Sequence, residues 1–370
     1  MRCEVESRRS EDRRRRKNGR VTWFPHSRSG SWPHTAADET ALAFHRSLPG
    51  YAPTALVDLP DLAAEWDVGR VVAKDESTRL GLPAFKALGA SWAIHRAVKD
   101  VTGPATIVTA TDGNHGRAVA RFARELGHSA LIVIPDGVHP SAVQAIRDEG
   151  AEVREVGGSY DHAVAIAAEA GSAPGCVLVQ DTAWPGYEEI PGWIVEGYAT
   201  LFAEADEQLA ELGRSGVDLV LVPTGVGSLL QAALAHYRPY GDARVVSVEP
   251  EEAACVAPSL AAGEPVTVET GSTIMSGLNC GTLSMLAWPL IRDGLDGAVT
   301  VSDADVLAAA RDLAAMAVGA GPCGGSGVAA ARHILVGPGS DERRAHLGID
   351  GSSTVLVVIT EGVEANPLTR

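Results

Sequence analysis

Four short segments carry residue types suited to chemistry. In the first, a turn rich in Gly and Pro, Gly81-Leu82-Pro83-Ala84-Phe85, delivers Lys86 to the start of a predicted helix. There the positive end of the helix and the apolar neighbours Phe85, Ala87 and Leu88 both favour the neutral amine. A lysine so placed is expected to have a lowered pKa and to act as a nucleophile. The ordinary alternative, a solvated surface amine, fits those neighbours poorly.

The second segment is Thr109-Ala110-Thr111-Asp112-Gly113-Asn114-His115-Gly116. It joins a predicted buried strand to a helix, where open α/β sheets place their ligands. Asp112 is a candidate general acid or base, and Asn114 a candidate donor to a ligand oxygen. An N-cap and a turn residue are the competing roles, and His115 reads as structural. The third, Thr224-Gly225-Val226-Gly227-Ser228, also runs from strand to helix, and its successive N–H groups can cradle a phosphate. It imitates a dinucleotide fingerprint, because Glu249 ends the next strand about 20 residues on. Leu230 takes the third glycine position, however, and nothing else supports a nicotinamide cofactor. In the fourth, Gln180-Asp181-Thr182-Ala183-Trp184-Pro185-Gly186-Tyr187, acidic and aromatic residues follow a strand, as in a pocket wall. Asp181 is the second carboxylate candidate, and Trp184 and Tyr187 are expected to pack. A capped start to the next helix is the competing reading.

The elements that must position these segments alternate. Order is expected from Asp38, with a helix over Ala41, Leu42, Phe44 and Leu48 stopped by Pro49-Gly50. Strands follow at Val71-Val72, Thr106–Thr109, Ala130–Ile134, Glu152–Val156, Val177–Gln180, Leu219–Val222, Val245–Val248 and Val355–Ile359. Helices are expected at 86–99, 115–127, 140–149, 160–170, 188–212, 228–238 and 303–318, while 250–300 reads as looser and Gly-rich. The pattern is that of a parallel, doubly wound α/β protein.

With 370 residues the chain exceeds the usual reach of one core, so two lobes with a cleft between them are expected. Hydrophobic residues make up 45% and charged residues 21%, ordinary globular usage. A formal charge of -16 argues against a nucleic-acid partner and for a small-molecule substrate. Residues 1–20 hold nine Lys or Arg against four acids; residues 1–37 are expected to form a basic, disordered leader. No apolar run is long enough to span a bilayer, so a cytoplasmic protein without a membrane partner is expected. Cys3, Cys176, Cys255, Cys280 and Cys323 lack metal-binding spacing, so no metal site is expected.

Taken together and in this order, the segments resemble diaminopropionate ammonia-lyase, within the pyridoxal-phosphate enzymes of the tryptophan synthase β and threonine dehydratase fold. The likeness runs from Ala43-Phe44-His45-Arg46-Ser47-Leu48-Pro49-Gly50-Tyr51 through Ser272-Thr273-Ile274-Met275-Ser276-Gly277-Leu278-Asn279-Cys280-Gly281 to Thr360-Glu361-Gly362. Asp112-Gly113-Asn114-His115-Gly116 and Gln180-Asp181-Thr182-Ala183-Trp184 are its most specific strings; related dehydratases usually show Ser where Asp112 stands.

The resemblance implies pyridoxal 5'-phosphate in a cleft between two lobes. It makes residues 38–104 plus 186–370 the large cofactor-binding domain and 105–185 a small mobile one. It further implies that Lys86 carries the cofactor as a Schiff base, Asn114 contacts its O3', and Gly225, Val226, Gly227 and Ser228 hold its phosphate. Thr360 would lie near the ring nitrogen, and Asp112 and Asp181 would be the acid–base carboxylates. The implied reaction releases ammonia from 2,3-diaminopropionate, giving pyruvate and ammonia, in a homodimer. Both substrate stereoisomers would be handled, with Lys86 and Asp112 as bases on opposite faces.

Two departures bear on this. Gly321-Pro322-Cys323-Gly324 stands where the family usually reads Gly-Glu-Ser-Gly, losing a carboxylate, and Val363, Glu364, Ala365 and Asn366 replace polar and acidic residues. The alternatives are another β-eliminase or β-replacement enzyme, of the serine/threonine dehydratase or cysteine synthase kind, and a non-catalytic cofactor binder. Cys255 and Cys280 fall in loops that border the active site in this family, where pairing is a minor expectation.

Overall fold

The computed structural model describes residues 22–111, 113–213, 216–241 and 243–367. Asp112, Cys3 and most of the basic leader lie outside the described residues.

Two sheets divide the chain. The larger has seven strands in the order β1-β10-β9-β8-β11-β3-β2: β1 is Trp23–Pro25, β2 Leu56–Asp58, β3 Arg70–Asp75, β8 Leu219–Pro223, β9 Arg244–Pro250, β10 Gly297–Val301 and β11 Thr354–Ile359. Its five inner strands pair in parallel, and β1 and β2 close its edges antiparallel. The smaller sheet, β6-β5-β4-β7, is wholly parallel: β4 is Thr106–Ala110, β5 Ser129–Ile134, β6 Glu152–Glu155 and β7 Cys176–Leu178. Strands β8 and β11 are buried throughout, which is why they read as unbroken apolar runs rather than as alternations.

The helices Lys86–Ala97 and Glu189–Glu211 stand where the chain leaves and re-enters the large sheet, and they pack closely on each other. A Cβ on Gly197 would lie 2.6 Å from Leu88 O, so only glycine admits this approach. The contact brings Tyr198 beneath Lys86, whose ammonium lies 5.5 Å from the Tyr198 ring centre.

Order starts earlier than expected. Trp23-Phe24-Pro25, inside the segment assigned to the leader, forms β1 against Val299, Ala298 and Gly297. Two aromatics supply the apolar surface that the polar surroundings hid. The stretch 250–300 is also more regular than its glycine content suggests, with helices Val256–Ala262 and Ala287–Gly294 and strand β10. The helix Pro322–Leu335 escapes sequence reading because Gly324, Gly325 and Gly327 depress its propensity. Burial of all but two of its residues, Arg332 and His333, overrides that preference.

Candidate active site

The C-terminal ends of β4, β7, β8 and β11 meet at one cleft, open to solvent, of about 860 Å3. Its walls include Lys86, Asn114, Asp181, Gly225–Ser228 and Thr360. Eight of the nine residues singled out for a site, scattered over 275 positions, therefore border one cavity; the ninth, Asp112, is outside the described residues, although its neighbours Thr111 and Gly113 line the wall.

Lys86 donates to Asp181 Oδ2 at 2.6 Å. This pairing corrects the expected lowering of the lysine pKa. Burial does act in that direction, but Asp181 outweighs it and holds the ammonium above the ordinary lysine range. The same ion pair, aided by His115 and Tyr160, overcomes burial at Asp181 and keeps its carboxyl well below the usual aspartate range. Tyr160 donates to Asp181 Oδ1 at 3.3 Å, and Gln180 Nε2 donates to Tyr160 Oη at 2.8 Å. Gln180 Oε1 accepts from Thr109 Oγ1 and Ala110 N, so the carboxylate is braced back to β4. His115 Nε2 meets Val179 O at 2.9 Å, the structural role its sequence suggested, but its Nδ1 also lies 4.0 Å from Asp181 Oδ2.

Two residues the sequence left in the background belong here. Tyr160 opens the helix Tyr160–Gly171 with nothing in its spacing to mark it. Glu361 is buried, accepting from Asn114 Nδ2 at 2.6 Å and from Cys323 N at 3.1 Å. The cleft thus keeps a carboxylate beside Cys323 despite the departure at Pro322 and Cys323. Trp184 and Tyr187 stack on each other with centroids 4.5 Å apart and do not line the wall.

The phosphate-type turn is narrow. Gly227 has φ +94°, a left-handed conformation favouring glycine, and begins the helix Ser228–Tyr237. A Cβ on Gly225 would stand 3.0 Å from Gly277 O and 3.1 Å from Cys280 Sγ. Ser228 Oγ donates to Asp181 O at 2.7 Å, tying this turn to the acid. Thr360 Oγ1 is buried without a hydrogen-bond partner in the protein, so it is left to a ligand. A lysine, a glycine-lined anion cradle at a helix start and an unpaired hydroxyl suit pyridoxal phosphate, with its aldehyde, phosphate and ring nitrogen.

Glu249, the residue that favoured a dinucleotide reading, is not in the cleft wall. Its Oε1 accepts from Cys255 N and Val256 N, and burial pushes its pKa up to about 7. It caps a short helix instead of awaiting a ribose. No disulfide joins Cys255 and Cys280, whose side chains are buried thiols. Among the described residues no cluster of metal-ligating side chains occurs, and no helix is long and apolar enough to cross a membrane.

Fold and site together define a pyridoxal-phosphate enzyme with two parallel sheets, and the model of the pyridoxal-phosphate dependent enzyme family matches residues 48–361. Within that class the chain belongs to the diaminopropionate ammonia-lyase family. It is 36% identical over 355 residues to the diaminopropionate ammonia-lyase of Salmonella typhimurium, covering 87% of this chain and 88% of the relative. The crystal structure of the Escherichia coli diaminopropionate ammonia lyase, in complex with an aminoacrylate-PLP azomethine reaction intermediate, superposes with a TM-score of 0.86 at 32% identity over 94% and 95% of the two chains. Maize serine racemase is a more distant likeness, with a TM-score of 0.74 at 25% identity over 88% and 94%.

Proposed function

We propose that this enzyme eliminates ammonia from 2,3-diaminopropionate, giving pyruvate and a second ammonia after hydrolysis. The observation that carries the reading is the Lys86–Asp181 pair: a base and an acid 2.6 Å apart, on the wall of the cofactor-type cleft. Elimination from a 2,3-diamino acid needs an α-proton removed and a poor amine leaving group protonated. Lys86 anchors the cofactor and removes the α-proton from one stereoisomer; Asp112, by its place in the motif, removes it from the other. Asp181 takes a proton across the short contact from Lys86 Nζ and delivers it to the leaving amine. Asn114 would donate to a cofactor oxygen, the turn Gly225, Val226, Gly227 and Ser228 would hold the phosphate by its N–H groups, and Thr360 Oγ1 would serve the ring nitrogen. Pyridoxal phosphate, when bound, supplies the electron sink for the carbanion. The lobe of residues 105–185 closes over the substrate, and the working form is a cytoplasmic homodimer.

Purified protein loaded with pyridoxal phosphate should release pyruvate and ammonia from 2,3-diaminopropionate, with kcat/KM at least about 100-fold above serine or threonine. Preference for serine or threonine would favour a dehydratase instead, and cofactor binding without turnover of any of the three would leave a non-catalytic binder.

A further inference from the structure

We propose that Glu361 is a positioning residue: it accepts from one amide N–H of Asn114 and so fixes which atoms Asn114 offers the cofactor. The inference rests on the reading above that Asn114 faces pyridoxal phosphate.

The main chain around Glu361 is held on two sides. Phe85 N donates to Thr360 O at 3.1 Å and Gly362 N to Pro83 O at 2.9 Å, fastening this strand end to the residues before Lys86. Gly321 N donates to Glu361 O at 2.9 Å, fastening it to the start of the Pro322–Leu335 helix. The side chain is pinned as well: Oε1 accepts from Cys323 N and Oε2 from Asn114 Nδ2. Glu361 is 2% exposed, so water does not compete for either oxygen.

An asparagine amide has a donor end and an acceptor end of nearly the same shape, and its partners decide which way it faces. The Cys323 N–H can only donate, which commits Oε1 as an acceptor. Burial pushes the Glu361 pKa up, but in its ionised form the carboxylate has only acceptance to offer at Oε2, so Asn114 presents its NH2 group there. One of that group's two N–H bonds is used, leaving the second to donate to an acceptor oxygen in the cleft. The contact also spans the two sheets, because Asn114 follows β4 and Glu361 follows β11. It sets the amide in the frame of the large sheet, where Lys86 and Thr360 stand.

Replacing the acid by its amide reverses the logic. In Glu361→Gln the Cys323 N–H still demands an oxygen, which turns the new NH2 toward Asn114 and requires Asn114 to flip. The test is a double-mutant cycle of Glu361→Gln and Asn114→Ala in the full chain. It reads pyridoxal-phosphate Kd and the wavelength of the bound cofactor's visible band, with Glu361→Asp as a second acid-retaining variant. Each single change should weaken cofactor binding by roughly five- to tenfold and shift the band, while adding Glu361→Gln to Asn114→Ala should cost less than about twofold more. Glu361→Asp should lie between wild type and Glu361→Gln; it carries the cycle if the glutamine variant fails to fold. Multiplying effects in the double variant would overturn the positioning role alone. An Asn114→Ala protein with wild-type Kd and band would overturn the placement of Asn114 at the cofactor, and the inference with it.

Discussion

The chain holds two lysine–carboxylate pairs of nearly equal length with opposite roles: Lys74 with Glu204 at 2.7 Å and Lys86 with Asp181 at 2.6 Å. Lys74 uses all three donors, on Glu204 Oε2, Thr54 O and Gln208 Oε1, and its side chain is fully buried. Arg79 completes the cluster, binding both oxygens of Glu76 and both of Glu204. Burial there lowers the Lys74 pKa in spite of Glu76 and Glu204, and Arg79 adds to the lowering. At the cleft Asp181 wins over burial and holds Lys86 up. A sealed and saturated pair fixes the large lobe. The Lys86–Asp181 pair instead borders the cleft, where the proposed proton transfer would use it.

Substitutions should separate the two clusters cleanly. Asp181→Asn should lower kcat by about 10²- to 10⁴-fold, measured as pyruvate release, with a smaller loss of stability than the buried cluster shows. Glu204→Gln should do the reverse. It leaves Lys74 and Arg79 short of a buried counter-charge, costing about 3–5 kcal/mol in urea unfolding, while kcat of the folded fraction changes little.

The acid limb of stability sharpens the contrast. The folded pKa of Asp181 is below its unfolded value near 3.8, so its contribution is complete above that pH and declines as pH falls through the folded value. Urea midpoints measured from pH 5 to pH 2 should therefore fall less steeply in Asp181→Asn than in wild type. The smallest effect is expected at Gly225→Ala, where the new methyl meets Gly277 O and Cys280 Sγ. Cofactor Kd should rise a few-fold there without loss of the visible band.

Much of this was legible because strand ends in parallel sheets concentrate function. The motifs at Asn114, Gly225–Ser228 and Thr360 each follow an apolar strand, Lys86 opens a helix after a Gly/Pro turn, and the structure draws all four to one cleft. What sequence could not show was pairing at a distance. Lys74 follows the apolar run Val71-Val72-Ala73 and Lys86 lies between Phe85 and Ala87, yet one is sealed by Glu204 and the other faces Asp181, 95 positions away. The expected lowering of the Lys86 pKa failed for that reason: local dipole and burial were visible, whereas the counter-charge came from another element. Glu361 was readable as part of a motif but not as the partner of Asn114, since the two are 247 positions apart.

The most direct test of the central claim is to reduce the pyridoxal-phosphate-loaded protein with borohydride, digest it and locate the pyridoxyl group by mass spectrometry. Label on Lys86, with no visible cofactor band in Lys86→Ala, is the predicted result. Label on Lys74 or another lysine, or an unchanged band in Lys86→Ala, would contradict it.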